Sequence, residues 1–142
     1  MAYDSNNIFA KILRGEAPCI PVFEDEDTLA FMDIMPQADG HVLVIPREGA
    51  ESLMDLSDEA AQACIRTTRR VAIAVKQALG QPGLLIAQMN GAAAGQTVPH
   101  FHFHVIPRGP DAAYRPHGAV RADEGQLREL AERIRACLPA GS

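Results

Sequence analysis

Seven residues constrain this chain more than any other stretch: His100-Phe-His-Phe-His-Val-Ile106. Unbroken alternation of this kind fits an extended strand, whose side chains point to opposite faces in turn. His100, His102 and His104 then share one face, and Phe101, Phe103 and Val105 share the other. The apolar face calls for packing beneath helices. The imidazole face carries three titratable rings at intervals of about 6.6 Å, from a rise of about 3.3 Å per residue. Three of the five His in the chain fall within five positions, a density that chance composition rarely produces.

The flanking segments supply the rest of a small α+β domain. The spacing of Ile8, Phe9, Ile12 and Leu13 predicts a short helix over 6–14, capped by Ser5 or Asn6 and stopped by Gly15. Val22–Glu24 and Thr28–Asp33 read as a hairpin around the acidic turn Asp25-Glu26-Asp27. A loop over 34–40, bounded by Pro36 and Gly40, leads into the apolar run His41–Ile45. Ser57 caps the longest helix, Asp58 and Glu59 fill its first turn, Lys76 lies near its end and Gly80 follows it. Ala61, Cys64, Ile65, Thr68, Val71, Ala72, Val75, Ala78 and Leu79 form its apolar stripe, with Arg66, Arg69 and Arg70 as its solvated side. Leu84–Met89 is a strand, and the strand bearing the three His spans Val98–Ile106 and ends at Pro107. A polar connector then leads to a last helix over 124–138, with Leu127, Leu130, Ile134 and Cys137 inward and a Glu129–Arg133 pair on its surface. Five short strands with hairpin signals favour an antiparallel sheet with helices packed on one face. The 142 residues read as one domain, 1–142, without internal repeats.

Composition removes several classes of function. Net charge is −5, and no basic stripe is present to displace counterions from a long nucleic acid. No run approaches the roughly 18 apolar residues of a membrane span, and the N-terminus lacks the basic and apolar regions of a signal peptide. Three widely spaced Cys (Cys19, Cys64, Cys137) contain no C-x-x-C pair, which fits buried thiols in a reducing, cytoplasmic setting. A single phosphate is still accommodated in an acidic protein, by backbone amides and a few imidazoles.

Three readings of the imidazole face compete: a half-exposed strand whose polar positions are His, a metal site, and nucleophilic catalysis. H-x-H on a strand offers two imidazoles to one ion, yet no Cys lies nearby and Asp33, the best carboxylate candidate, is distant in sequence. Catalysis accounts for more. Neutral imidazole attacks phosphorus, and water clears the resulting phosphoramidate. Two charged imidazoles about 6.6 Å apart would repel by roughly 2–3 kcal/mol at an effective dielectric near 20, which favours a neutral central ring. His102 has two such neighbours and is the natural nucleophile. Directly upstream, Asn90-Gly-Ala-Ala-Ala-Gly-Gln-Thr97 offers Gly91 and Gly95 for tight turning and polar side chains beside them, a candidate oxyanion cradle.

These residues carry a resemblance. His100–Ile106 is similar to the His-φ-His-φ-His-φ-φ signature of the histidine-triad family. The likeness extends through Asn7–Glu16, Ala30–Gln37, Gly40–Pro46 and Gly95–His100. Within the family the chain resembles the Hint branch and its bacterial relatives. That resemblance implies a two-layer α+β fold, a homodimer with one continuous sheet, and a purine-type nucleotide as partner. It also implies hydrolysis at the α-phosphate of phosphoramidates or aminoacyl adenylates. His102 matches the nucleotidylated residue; His104, Asn90, Gly95, Gln96 and Thr97 match the phosphate-contacting set. His41 and His100 match histidines that orient the nucleophile, Asp33 the carboxylate that accepts the ribose hydroxyls, with Ile34 beside it, and Phe9, Ile12 and Phe31 the lining of the base pocket.

Some positions depart from the pattern. Ala92-Ala93-Ala94 replaces a more polar loop. Zinc-bearing relatives carry Cys near the first helix where Ala10 stands, and Cys19 is unpaired, so neither metal nor other cofactor is expected. The match weakens over 108–142, a tail that often completes the partner's site in this family. His104 argues against the nucleotide-transferase branch, whose third position is usually Gln, and the zinc-finger appendage of the DNA-end-processing branch is absent. The rivals left are a dinucleoside polyphosphate hydrolase and a nucleotide-binding partner protein with little catalysis.

Overall fold

A computed structural model of the chain describes residues 3–110 and 120–139. The middle of the polar connector, with His117, lies outside the described residues. Five strands form one antiparallel sheet: β1 (Pro21–Glu24), β2 (Thr28–Met32), β3 (Val42–Pro46), β4 (Gly83–Ala87) and β5 (Phe103–Arg108), in the order β1-β2-β3-β5-β4. Among the described residues, three α-helices accompany it: α1 (Ile8–Leu13), α2 (Asp58–Leu79) and α3 (Glu124–Ala136).

The two faces of the sheet are separated by residue parity. Ala30 and Met32 of β2, Val42 and Val44 of β3, and Val105 of β5 pack with Val71, Ala74 and Val75 of α2 and with Leu127, Leu130 and Ile134 of α3. Leu29, Phe31, Leu43 and Ile45 point the other way and meet Phe9 of α1. The two long helices thus cover one face, as expected, and short α1 lies across the other. Every residue of β2 and β3 is buried, which is why His41 is followed by an uninterrupted apolar run, Val42–Ile45, instead of an alternation.

Caps set the helix ends. Asn7, not Ser5 or Asn6, caps α1 by accepting from the Ala10 amide at 2.9 Å. Ser57 caps α2 as expected, is itself held by Glu48, and Gly80 closes that helix in the left-handed region. The buried stripe of α2 is Ala63, Cys64, Thr67, Thr68, Val71, Ala74 and Val75; Ile65 is half exposed, because the apolar arc is rotated from the one drawn on hydropathy alone. Burial, aided by Asp25, Glu48 and Asp27, pushes the Cys64 thiol up to about 12, leaving it an inert core group. On α3, Arg133 donates to the Ala78 carbonyl at 2.9 Å instead of pairing with Glu129, and this stitches the last helix onto the end of α2.

The strand bearing the His differs from expectation in its bounds. Regular pairing begins only at Phe103, so His100, in a bend where its amide donates to the Val98 carbonyl, and His102 both lie just before β5. It also runs past Pro107 to Arg108, paired with β4 alone, because β3 reaches no further than Val105 on the other side. A proline there costs no ladder bond with β3. The alternation itself holds: Phe101 and Phe103 pack with Ala50, Leu56 and Cys64, and the three imidazoles face the side where α1 lies.

Candidate active site

Hydrogen-bond chemistry fixes which nitrogen of each imidazole carries a proton. A carbonyl oxygen only accepts, so the nitrogen facing it must donate. His102 Nδ1 lies 2.7 Å from the His100 carbonyl oxygen; it is therefore the protonated nitrogen, and in the neutral ring Nε2 keeps the lone pair. His100 Nε2 lies 2.8 Å from the Pro46 carbonyl oxygen and donates to it, leaving Nδ1 as acceptor, 2.5 Å from the Tyr3 hydroxyl. The Gln37 amide donates to His41 Nδ1 at 3.0 Å, so His41 carries its proton on Nε2. That proton is donated to His104 Nδ1 at 2.9 Å, which places the remaining proton of neutral His104 on Nε2.

All four imidazoles are buried, His41 and His100 completely. The rings approach more closely than the backbone spacing, with 4.9 Å between the centroids of His102 and His104 and 5.2 Å between those of His41 and His104. Phe9 meets the His102 ring edge to face at 5.0 Å. Burial holds His100 below the ordinary histidine value, opposed by the Pro46 carbonyl and reinforced by His102.

This depression has a consequence for stability. The unfolded chain takes up a proton at His100 near the ordinary value of 6.5, whereas the folded chain resists it to lower pH. The contribution of His100 is therefore complete above about 6.5 and lost as pH falls through the folded value. Thermal unfolding should give a flat Tm above pH 7 that declines toward pH 5, with a shallower decline in His100→Asn. An equal slope in both proteins would contradict this.

A cavity of about 600 Å³ opens beside these rings, within the range of small-ligand sites. Its walls include Phe9, Ile12, Phe31, Asp33, Ile34, Thr97, His102 and His104. His41 and His100 stand behind this wall as supports. Asp33 is buried; its Oδ1 accepts from the Met35 amide at 2.8 Å and its Oδ2 lies 3.5 Å from His41 Nε2. Gly40, at φ +89, brings the chain to His41, and a Cβ there would collide with Leu79 and crowd Pro107.

The loop from Asn90 to Thr97 is built differently from the open cradle expected. Gln96 Oε1 accepts the Gly91 amide, and Nε2 donates to the carbonyls of Glu51 and Val98. The amides of Ala94 and Gln96 turn in to the Gly91 carbonyl, and that of Gly95 to Ala92. Asn90 Oδ1 accepts the Leu53 amide at 2.7 Å, and its Nδ2 donates to Gln88. Asn90, Gly95 and Gln96 thus stiffen the loop that ends at Thr97, and it is Thr97 that reaches the cavity wall.

Several wall residues carried no signal in the sequence. Pro18, Cys19, Ile20, Leu43 and Val98 complete the apolar floor, and Arg121, Ala122, Glu124, Leu127 and Arg128 close one side. The Ala122 amide donates to the Ile34 carbonyl at 2.9 Å, docking the entry to α3 against the loop after Asp33. Helical periodicity predicted α3 but says nothing about where it docks.

Asp33, His41 and His104 also bring three potential ligand atoms within 4.8 Å of one another, a cluster the sequence spacing did not show. The proton assignment argues against metal there. A ligating nitrogen needs a lone pair facing the ion, yet the Gln37 amide on Nδ1 forces the proton of neutral His41 onto the Nε2 that faces the cluster. The arrangement fits a proton-ordered relay from His41 to His104.

Comparison with known proteins agrees with this geometry. The HIT domain family matches residues 14–111. A HIT-like protein of Azospirillum brasilense is 47% identical over 106 residues, covering 73% of this chain and 87% of the relative. An adenosine 5'-monophosphoramidase of Schizosaccharomyces pombe is 40% identical over 107 residues, covering 75% and 77%. A crystal structure of a HIT-like protein from Bartonella henselae superposes with a TM-score of 0.92 at 46% identity, covering 97% of this chain and all of that one.

Proposed function

The chain belongs to the HIT family, and from that premise we propose that it hydrolyses nucleoside phosphoramidates or related adenylates at the α-phosphate through a nucleotidyl intermediate on His102. The observation that supports this reading is the His102 Nδ1–H bond to the His100 carbonyl, which in the neutral ring leaves the lone pair for attack on Nε2. In the first step Nε2 attacks phosphorus, a P–N bond to His102 forms, and the bond to the leaving group breaks, an amine departing with a proton taken from solvent and an acyl group as its carboxylate. His104 Nε2–H, oriented through Nδ1 by His41, donates to the phosphoryl oxygens as charge develops. The Thr97 hydroxyl is the polar group on the wall suited to the leaving group. In the second step water attacks the same phosphorus, the P–N bond breaks, the water's proton passes to solvent, and nucleoside monophosphate leaves with His102 neutral again.

The base sits among Phe9, Ile12 and Phe31, and the ribose hydroxyls on Asp33. The apolar side chains of Phe9, Ile12 and Phe31 suit a flat purine. Asp33→Ala should shrink the preference for ribonucleotide over 2'-deoxy analogue by roughly 1–3 kcal/mol. Measured Kd values for adenosine and 2'-deoxyadenosine monophosphate decide this; an unchanged preference would make Asp33 a turn-forming residue only.

The occupied form of the protein in this reading is a cytoplasmic homodimer. Among the described strands β4 is an outer one, and its Leu85 and Ile86 are each 40% exposed. On α2, Ile65 and Ile73 stand out from the helix at 51% and 37%. An apolar outer strand beside an apolar helix stripe is a liability unless covered, and a two-fold copy of the same surface covers both. Sedimentation at micromolar concentration should report about twice the 15.3 kDa chain mass. A monomer with full activity would overturn this part.

The function itself is tested by substrate comparison. Adenosine 5'-phosphoramidate should be turned over with kcat/KM at least about tenfold above that for diadenosine polyphosphates, a difference of about 1.4 kcal/mol in barrier. The reverse order would make the protein a dinucleoside polyphosphate hydrolase. Binding of adenosine monophosphate with turnover of neither would make it a binding partner.

A further inference from the structure

The N-terminal segment reaches the nucleophile through a directional chain of hydrogen bonds. Asn7 Nδ2 donates to the Tyr3 hydroxyl oxygen at 2.8 Å, and that hydroxyl lies 2.5 Å from His100 Nδ1. Because the Pro46 carbonyl takes the Nε2 proton of His100, the neutral ring presents a bare lone pair at Nδ1, and Tyr3 O–H donates to it. The Tyr3 oxygen, with its own proton directed at His100, accepts from Asn7. Asn7 is in turn fixed by capping α1 through Oδ1 and by donating to the Asp4 carbonyl. Each donor in the series meets an acceptor, and the order cannot be reversed without setting two protons against each other.

The ring of Tyr3 is seated as well as its hydroxyl. It stands edge-on to the His100 ring, with centroids 5.6 Å apart. Its other edge rests on Gly49, where a Cβ would come within 2.9 Å of Cε2. A glycine at that point leaves the space that the tyrosine occupies.

We propose that Tyr3 is a positioning residue for the nucleophile, holding the His100 ring in one tautomer and orientation and so anchoring the residue whose backbone carbonyl accepts from His102 Nδ1–H. The inference rests on the reading of His102 as nucleophile. Without the hydroxyl, His100 keeps an unmet acceptor in a buried place, and the bias of its ring toward a single state weakens. His102 then spends less time with Nε2 ready to attack. The expected cost is that of one hydrogen bond, about tenfold in rate, with substrate binding unaffected, because Tyr3 is not part of the cavity wall.

Tyr3→Phe retains the ring, its seat on Gly49 and its edge contact with His100, and removes the hydroxyl alone. In the full chain, kcat for adenosine 5'-phosphoramidate should fall about tenfold, with KM and the Kd of adenosine monophosphate each within about twofold. In ¹⁵N-labelled protein the His100 Nδ1 resonance should leave the position of a hydrogen-bonded acceptor, and the His102 Nδ1–H proton should exchange faster. Gly49→Ala displaces the ring instead, and should reproduce the loss in the presence of Tyr3 while adding little to Tyr3→Phe. A kcat within twofold of the parent, a loss matched by weakened monophosphate binding, or full additivity of the two substitutions overturns the proposal. If the parent protein turns over no nucleotide, the hydrolase reading fails separately. The resonances of His100 and His102 then still decide on Tyr3: unchanged in Tyr3→Phe, they refute its role.

Discussion

Replacing His102 with Asn is expected to lower phosphoramidate turnover by about 10⁴-fold or more, because the P–N bond of the proposed intermediate is made by its Nε2. Asn is the informative choice. Its Nδ2–H can still donate to the His100 carbonyl, so the backbone before β5 keeps its anchor. Adenosine monophosphate should bind with a Kd within a few-fold of the parent, since Asp33, Thr97 and the apolar floor are untouched. Turnover within tenfold of the parent would remove His102 from the role assigned to it.

A second large effect is expected at His104. His41 Nε2–H bonds to its Nδ1 at 2.9 Å, which leaves the Nε2 proton as the donor for the phosphoryl oxygens. Loss of one such donor typically costs about 10²–10³ in kcat. His104→Asn supplies an oxygen that can accept the His41 proton, so the buried relay is not left with an unmet donor. The expected result is a kcat lower by two to three orders of magnitude with the nucleotidyl intermediate still formed, only slowly. A kcat within tenfold would mean that His104 is a packing residue of the wall.

These two residues were legible in the sequence because a period of two is a strong geometric statement. Whichever residues pair first, alternation keeps His100, His102 and His104 on one side, and it did so although β5 begins only at Phe103. The apolar runs and the caps at Ser57 and Gly80 were equally direct, since each reflects local chemistry. What local pattern does not carry is the partner across space. Nothing in the sequence around Gln37 shows that its amide would set the proton on His41, nor that Gln96 would use its side chain to close its own loop. Tyr3 lies 97 residues from His100, and Arg121 to Arg128 reach the cavity only because α3 docks beside the loop after Asp33. The misplaced cap at α1 and the rotated stripe of α2 are smaller errors of one kind: two neighbouring residues offered the same chemistry, and tertiary contact chose between them.

The central claim is covalent chemistry on His102, and it is tested most directly by catching the intermediate. Wild-type protein mixed with excess adenosine 5'-phosphoramidate, stopped during turnover without acid and digested, should yield one modified peptide. That peptide should contain His102 and carry the added mass of an adenylyl group, it should be absent from His102→Asn, and it should disappear as substrate is exhausted. An adenylyl group on a different residue, or steady turnover with no adduct at any time sampled, would contradict the account.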